Sequence, residues 1–148
     1  MRLFMASMFA TSDKIFVDTS YLLALAIPVD QHHDQATLLM TDILRRGVSL
    51  TTSEAVLLEF GNALAHPKWR PRVVKTLLNF YEDPLMTVVP LSEAMFASAL
   101  SLFRRRPDKA WGLTDCSSFE IMRERGLSEA LTADEHFEQA GFVALLRR

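Results

Sequence analysis

The chain has 148 residues, a single cysteine and a formal net charge of -2 at pH 7, with 49% hydrophobic and 23% charged residues. That length fits one domain able to bury its own core, and the lone Cys116 excludes an internal disulfide framework or a Cys-rich zinc site. The mild acidity runs against a uniformly basic nucleic-acid binder, although basic residues gather at Arg45–Arg46, around Lys68, Arg70, Arg72 and Lys75, at Arg104–Arg106 with Lys109, and at Arg147–Arg148.

Residues 1–14 read as a flexible leader, with Met5 or Met8 as alternative starts, followed by one domain over 15–148. Ile15-Phe16-Val17 is a short buried strand ending at Asp18, and Thr19 or Ser20 caps the helix that Pro28 stops. Residues 32–46 form an amphipathic helix on Ala36, Leu39, Met40, Ile43 and Leu44, closed by Arg45, Arg46 and Gly47. Val48 to Thr51 is a second strand. Ser53 caps a helix over 54–65, and Pro71 opens another over 71–81. Met86 to Val89 is a third strand, and Ser92-Glu93 starts a helix that runs to Phe103. Leu113 to Arg125 is helical, Ala130 to Thr132 is a fourth strand, Glu135 to Gln139 is a helical turn, and Phe142 to Leu146 is a last strand.

Short unalternating strands between amphipathic helices predict an α/β fold, a three-layer α/β/α sandwich on a mainly parallel five-stranded sheet. In such sheets function gathers outside the carboxyl ends of the strands. Asp18 and Asp134 follow the first and fourth strands there, Asp115 opens a helix, and Glu59 lies among apolar neighbours as a candidate inward-facing acid. Taken singly, each has an ordinary explanation as a cap, a first-turn acid or a residue on a wet face. Together, two carboxylates about 5 Å apart repel by roughly 3 kcal/mol at an effective dielectric of 20, and no cation neighbours them in sequence. A shared Mg²⁺ or Mn²⁺, one ion or two, relieves that repulsion and suits phosphodiester hydrolysis.

At these residues the chain resembles the PIN-domain family, and within it the toxin-type (VapC-like) ribonucleases. The resemblance is carried by V-D-T-S at 17–20, L-L-E-F-G-N at 57–62, L-T-D-C-S-S-F at 113–119 and L-T-A-D-E-H-F at 131–137. It implies a metal-dependent endoribonuclease in which Asp18, Glu59, Asp115 and Asp134 are both catalytic acids and ligands of Mg²⁺ or Mn²⁺. It places Ser20 where a hydroxyl would contact a metal-bound water or a ligand carboxylate; Asn62, one helical turn from Glu59, and Thr114, beside Asp115, are further candidates to orient those acids. His136 is a candidate contact for substrate phosphate. Lys68, Trp69 and Arg70 are a candidate RNA contact through Trp69 stacking, the alternative being a buried Trp69. The resemblance also implies an RNA substrate, a cognate antitoxin and a homodimer.

The absence of any membrane-length apolar stretch, together with the single cysteine, fits a cytoplasmic protein. The competing reading is a catalytically weak PIN-like RNA-binding or scaffold protein. A haloacid-type phosphatase is disfavoured, because its D-x-D after the first strand is missing here.

Overall fold

The computed structural model describes residues 12–148. Most of the leader read at 1–14 lies outside them; of it, Lys14 already belongs to the first strand, and the Ser12 N–H donates to Glu129 Oε1 at 2.7 Å.

Five parallel strands, β1 (Lys14–Val17), β2 (Ser49–Ser53), β3 (Met86–Val89), β4 (Glu129–Leu131) and β5 (Val143–Ala144), stand in the order β3-β2-β1-β4-β5. β1 is central, and Ile15, Phe16 and Val17 are all buried because helices cover both faces. The order steps outward from β1 on both sides, so the crevice where it reverses opens at the carboxyl ends of β1 and β4. Those ends carry Asp18 and, after Thr132 and Ala133, Asp134.

Two helical pairs rise from the same edge. Helix α1 (Thr19–Ala26) leaves the end of β1, and α2 (His33–Arg46) returns the chain to the start of β2. Helix α3 (Glu54–Ala63) leaves the end of β2, and α4 (Arg70–Glu82) returns to β3. The Tyr21 hydroxyl donates to Ala36 O at 2.9 Å and pins α1 to α2. Gly47, with φ of 65°, supplies the left-handed turn that ends α2. On the other side lie α5 (Glu93–Arg105), α6 (Leu113–Glu124) and the short α7 (Glu135–Gln139).

Several boundaries differ from the sequence reading. The last strand is only Val143–Ala144, and the chain then tightens into a 3₁₀ turn over Leu145–Arg147. Leu44 is exposed, because the buried stripe of α2 runs through Ala36, Leu39 and Ile43. In α4 Val73 is buried, whereas Val74, Leu78 and Tyr81 face out.

Candidate metal centre at the carboxyl edge

Asp18 is the N-cap of α1 as well as the residue that ends β1, so one position serves backbone and site. It is 4% exposed. Its Oδ2 accepts from the Thr132 hydroxyl at 2.8 Å, the Ser20 hydroxyl at 3.0 Å and the Ser20 N–H at 3.4 Å. The two hydroxyls in turn accept backbone N–H groups, Ala133 N onto Ser20 Oγ at 2.9 Å and Asp134 N onto Thr132 Oγ1 at 3.0 Å. The two hydroxyls also lie 3.0 Å from each other, so each has Asp18 and the other hydroxyl within reach of its one proton. The network therefore ties the ends of β1 and β4 together and fixes the Asp18 carboxylate, with Oδ1 outside these three bonds. Burial pushes the Asp18 carboxyl up to about 6, against the lowering effect of these donors, and the negative charge of Asp115 adds to the rise.

Asp115 stands in the first turn of α6, where its Oδ2 accepts the N–H of the N-cap residue Gly112 at 3.1 Å. Burial also raises its carboxyl, and the nearby Asp134 raises it further. Asp134 caps α7 by accepting the His136 N–H at 2.9 Å. The His136 ring then lies between the acids, with Nδ1 3.1 Å from Asp115 Oδ2 and 3.3 Å from Asp134 Oδ1. One ligand atom from each of Asp115, Asp134 and His136 falls within 4.8 Å of the others. Beneath them, the rings of Phe119 and Phe137 meet edge to face at 5.0 Å, and Trp111 meets Phe119 in the same way at 5.0 Å. This aromatic stack joins α6 to α7 and holds Asp115 and Asp134 in register.

Three of the four expected acids are thus linked through the charge of Asp115. Glu59 is not. It is exposed on α3, whose buried side carries Val56, Leu57 and Phe60, and among the described residues no hydrogen bond or ion pair joins it to the aspartates. The expectation of an inward-facing acid failed because Leu58 and Glu59 fall together on the wet side of the helix. Asn62 is exposed on the same helix. The Ser20 hydroxyl donates to Asp18, but Thr114 does not hold Asp115: that contact belongs to the Gly112 N–H, and the Thr114 carbonyl accepts from the Ser117 hydroxyl at 2.7 Å.

Thr132 escaped the sequence reading because it looks like an ordinary strand residue. The signal available was its place two residues before Asp134, opposite the end of β1. Trp69 is neither fully buried nor free. Lys68 Nζ and the Arg72 guanidinium lie over its ring at 5.2 and 5.6 Å. Arg70 instead turns back, donating to Ala65 O at 2.7 Å.

The PIN-domain profile matches residues 15–143. The chain belongs to the PIN-domain family. A solved structure similar to this chain is VapC20 of Mycobacterium tuberculosis, a toxin that cleaves the sarcin-ricin loop. It shares 26% sequence identity with a TM-score of 0.76, over 87% of this chain and 96% of that one. No curated protein sequence matches the chain significantly. This PIN domain is thereby related to the VapC-type toxin–antitoxin ribonucleases, and its candidate metal cluster sits at the sheet edge where an open α/β fold places function. Among the described residues, no helix is long and apolar enough to cross a membrane.

Proposed function

We propose that this PIN domain is a metal-dependent endoribonuclease, the toxin of a toxin–antitoxin pair, acting in the cytoplasm. The observation that carries the reading is the convergence of Asp115, Asp134 and His136 within 4.8 Å, beside the buried Asp18 whose carboxyl the charge of Asp115 helps to raise. Negative charge accumulated this way invites a divalent cation.

Asp18, Asp115 and Asp134 would hold Mg²⁺ or Mn²⁺, with the exposed Glu59 of α3 as a fourth candidate acid. A divalent cation there supplies the charge that lowers the pKa of an attacking water and shields the phosphoryl oxygens. The protein's own part is positional. Ser20 and Thr132 keep Asp18 from turning, Gly112 keeps Asp115 in place, and the Phe119–Phe137 contact keeps the two acid-bearing helices together. His136 Nδ1 donates between Asp115 and Asp134 when it carries a proton; without the proton, its lone pair would be available to the ion. A donor set that includes imidazole suits Mn²⁺ better than Mg²⁺.

The exposed Tyr81 of α4 lines a hollow of about 340 Å³ with Glu54, Leu57, Leu58, Leu77 and Leu91, and Val74 and Leu78 are exposed on the same helix. This face would serve the homodimer or the cognate antitoxin. The exposure of Glu59 favours the second reading, a weakly catalytic RNA-binding PIN protein.

Cleavage of a sarcin-ricin stem-loop RNA and of unstructured RNA, with Mn²⁺ or Mg²⁺ and with EDTA, tests the proposal. Cation-dependent cleavage lost in Asp115→Asn supports it. RNA binding without cleavage would favour the second reading.

A further inference from the structure

The helical pairs α1–α2 and α3–α4 carry their connecting turns outward from the carboxyl edge, and α1 packs against α3. Where those turns meet, Pro28, Val29, Lys68, Trp69 and Arg72 line a hollow of about 390 Å³. Its apolar lining is Pro28 and Val29, both exposed, its aromatic ring is half-buried, and its two charged lining residues are both cations. Arg72 is anchored, donating from Nη1 to Ala26 O at 2.6 Å, so its remaining N–H groups are held in place. The Lys68 ammonium and the Arg72 guanidinium both lie over the Trp69 ring, and Lys68, exposed at the rim, can give up its place there to another ring. Helix α1 spans eight residues from Asp18 to this hollow, about 12 Å at a rise of 1.5 Å per residue, a distance that a short single strand covers.

We propose that this hollow is a nucleotide subsite for the RNA substrate, in which a base stacks on Trp69 and the adjoining phosphates pair with Arg72 and Lys68. The chemistry matches a single strand: an aromatic face that accepts any base, flanked by cations that track the backbone. An acidic peptide would satisfy the cations but leave the Trp69 ring without a stacking partner. The subsite rests on the ribonuclease reading and extends its substrate contacts away from the cleaved bond. It replaces Arg70 with Arg72 in the segment that the sequence singled out.

The protein has two tryptophans, and Trp111 is buried, so tryptophan emission can report on Trp69. In EDTA, where cleavage is silent, a single-stranded oligoribonucleotide should quench the wild-type emission. Trp69→Phe should abolish the quench, and Lys68→Ala and Arg72→Ala should each weaken binding about five- to ten-fold. Trp69→Ala should bind about ten-fold more weakly and, with Mn²⁺, raise KM with little change in kcat. The exposed Lys68→Ala keeps the test valid if a Trp69 variant fails to fold. Unchanged RNA affinity in Trp69→Ala and Lys68→Ala, or quenching by polyglutamate but not RNA, overturns the subsite. Cleavage by these variants with wild-type KM would do so while leaving the ribonuclease reading intact. Quenching without any cleavage would sink the ribonuclease reading and leave the subsite standing.

Discussion

Asp18 concentrates the conflict between stability and function at one position. Its carboxyl moves from 3.8 to about 6. A raised folded-state pKa means the protonated group stabilises the fold below about 3.8, and that contribution is lost as pH climbs through about 6. Asp18→Asn has no such loss. Without divalent cation, the stability of Asp18→Asn relative to wild type should therefore rise between pH 4 and 7 by roughly 2 kcal/mol. Urea unfolding at the two pH values checks this, and a pH-independent difference would mean that the Asp18 charge is tolerated without help. Thr132→Val removes a proton aimed at Asp18 and an acceptor for Asp134 N–H. We expect a ten- to hundred-fold loss of metal affinity or activity with the fold retained, measured by Mn²⁺ titration and cleavage rate. His136→Ala should narrow any preference for Mn²⁺ over Mg²⁺; an unchanged ratio would leave the imidazole outside the ion's ligands. Asp18, Asp115 and Asp134 were legible in the sequence because each follows a strand or opens a helix. Thr132 and the bridging position of His136 were not, since both depend on how β4 and α7 lie across from other segments.

At the scale of elements, the acids are only as well placed as the helices that carry them. Phe119 and Phe137 are fully buried and touch edge to face. Phe137→Ala should cost about 3–5 kcal/mol and reduce cleavage by loosening α7 against α6. Thermal unfolding and rates measured well below the melting temperature separate the two effects. The type and order of the elements followed from the periodicity of apolar residues. Ser53 was recognisable as a cap and caps α3 as expected, accepting the Val56 N–H at 3.1 Å. The sequence could not show which side of α3 faces the sheet, because Leu57, Leu58 and Phe60 surround Glu59 with apolar neighbours on both faces. For the same reason the apolar residues of α4 looked like core, whereas Leu78 and Tyr81 are 59% and 61% exposed. If that face joins two copies, Leu78→Glu should shift the protein to monomer in light scattering while leaving its unfolding curve nearly unchanged.

Across the whole molecule, a parallel sheet gathers strand ends from distant parts of the chain at one edge. β1 and β4 are neighbours although more than a hundred residues separate Val17 from Leu131. That topology brings Asp18 and Asp134 together, and α6 adds Asp115 beside them. Net charge close to neutral conceals this separation: acids converge at the edge, while Lys68 and Arg72 stand on the helical turns beyond it. The arrangement suits a polyanion held at one end and cut at the other.

The central claim is that the converging aspartates hold a divalent cation. Calorimetric titration of Mn²⁺ into the metal-stripped wild-type protein and into Asp115→Asn addresses it most directly. The account predicts saturable binding to the wild type that is lost or weakened at least ten-fold by the substitution. Equal binding by both proteins, or none by the wild type, would contradict it.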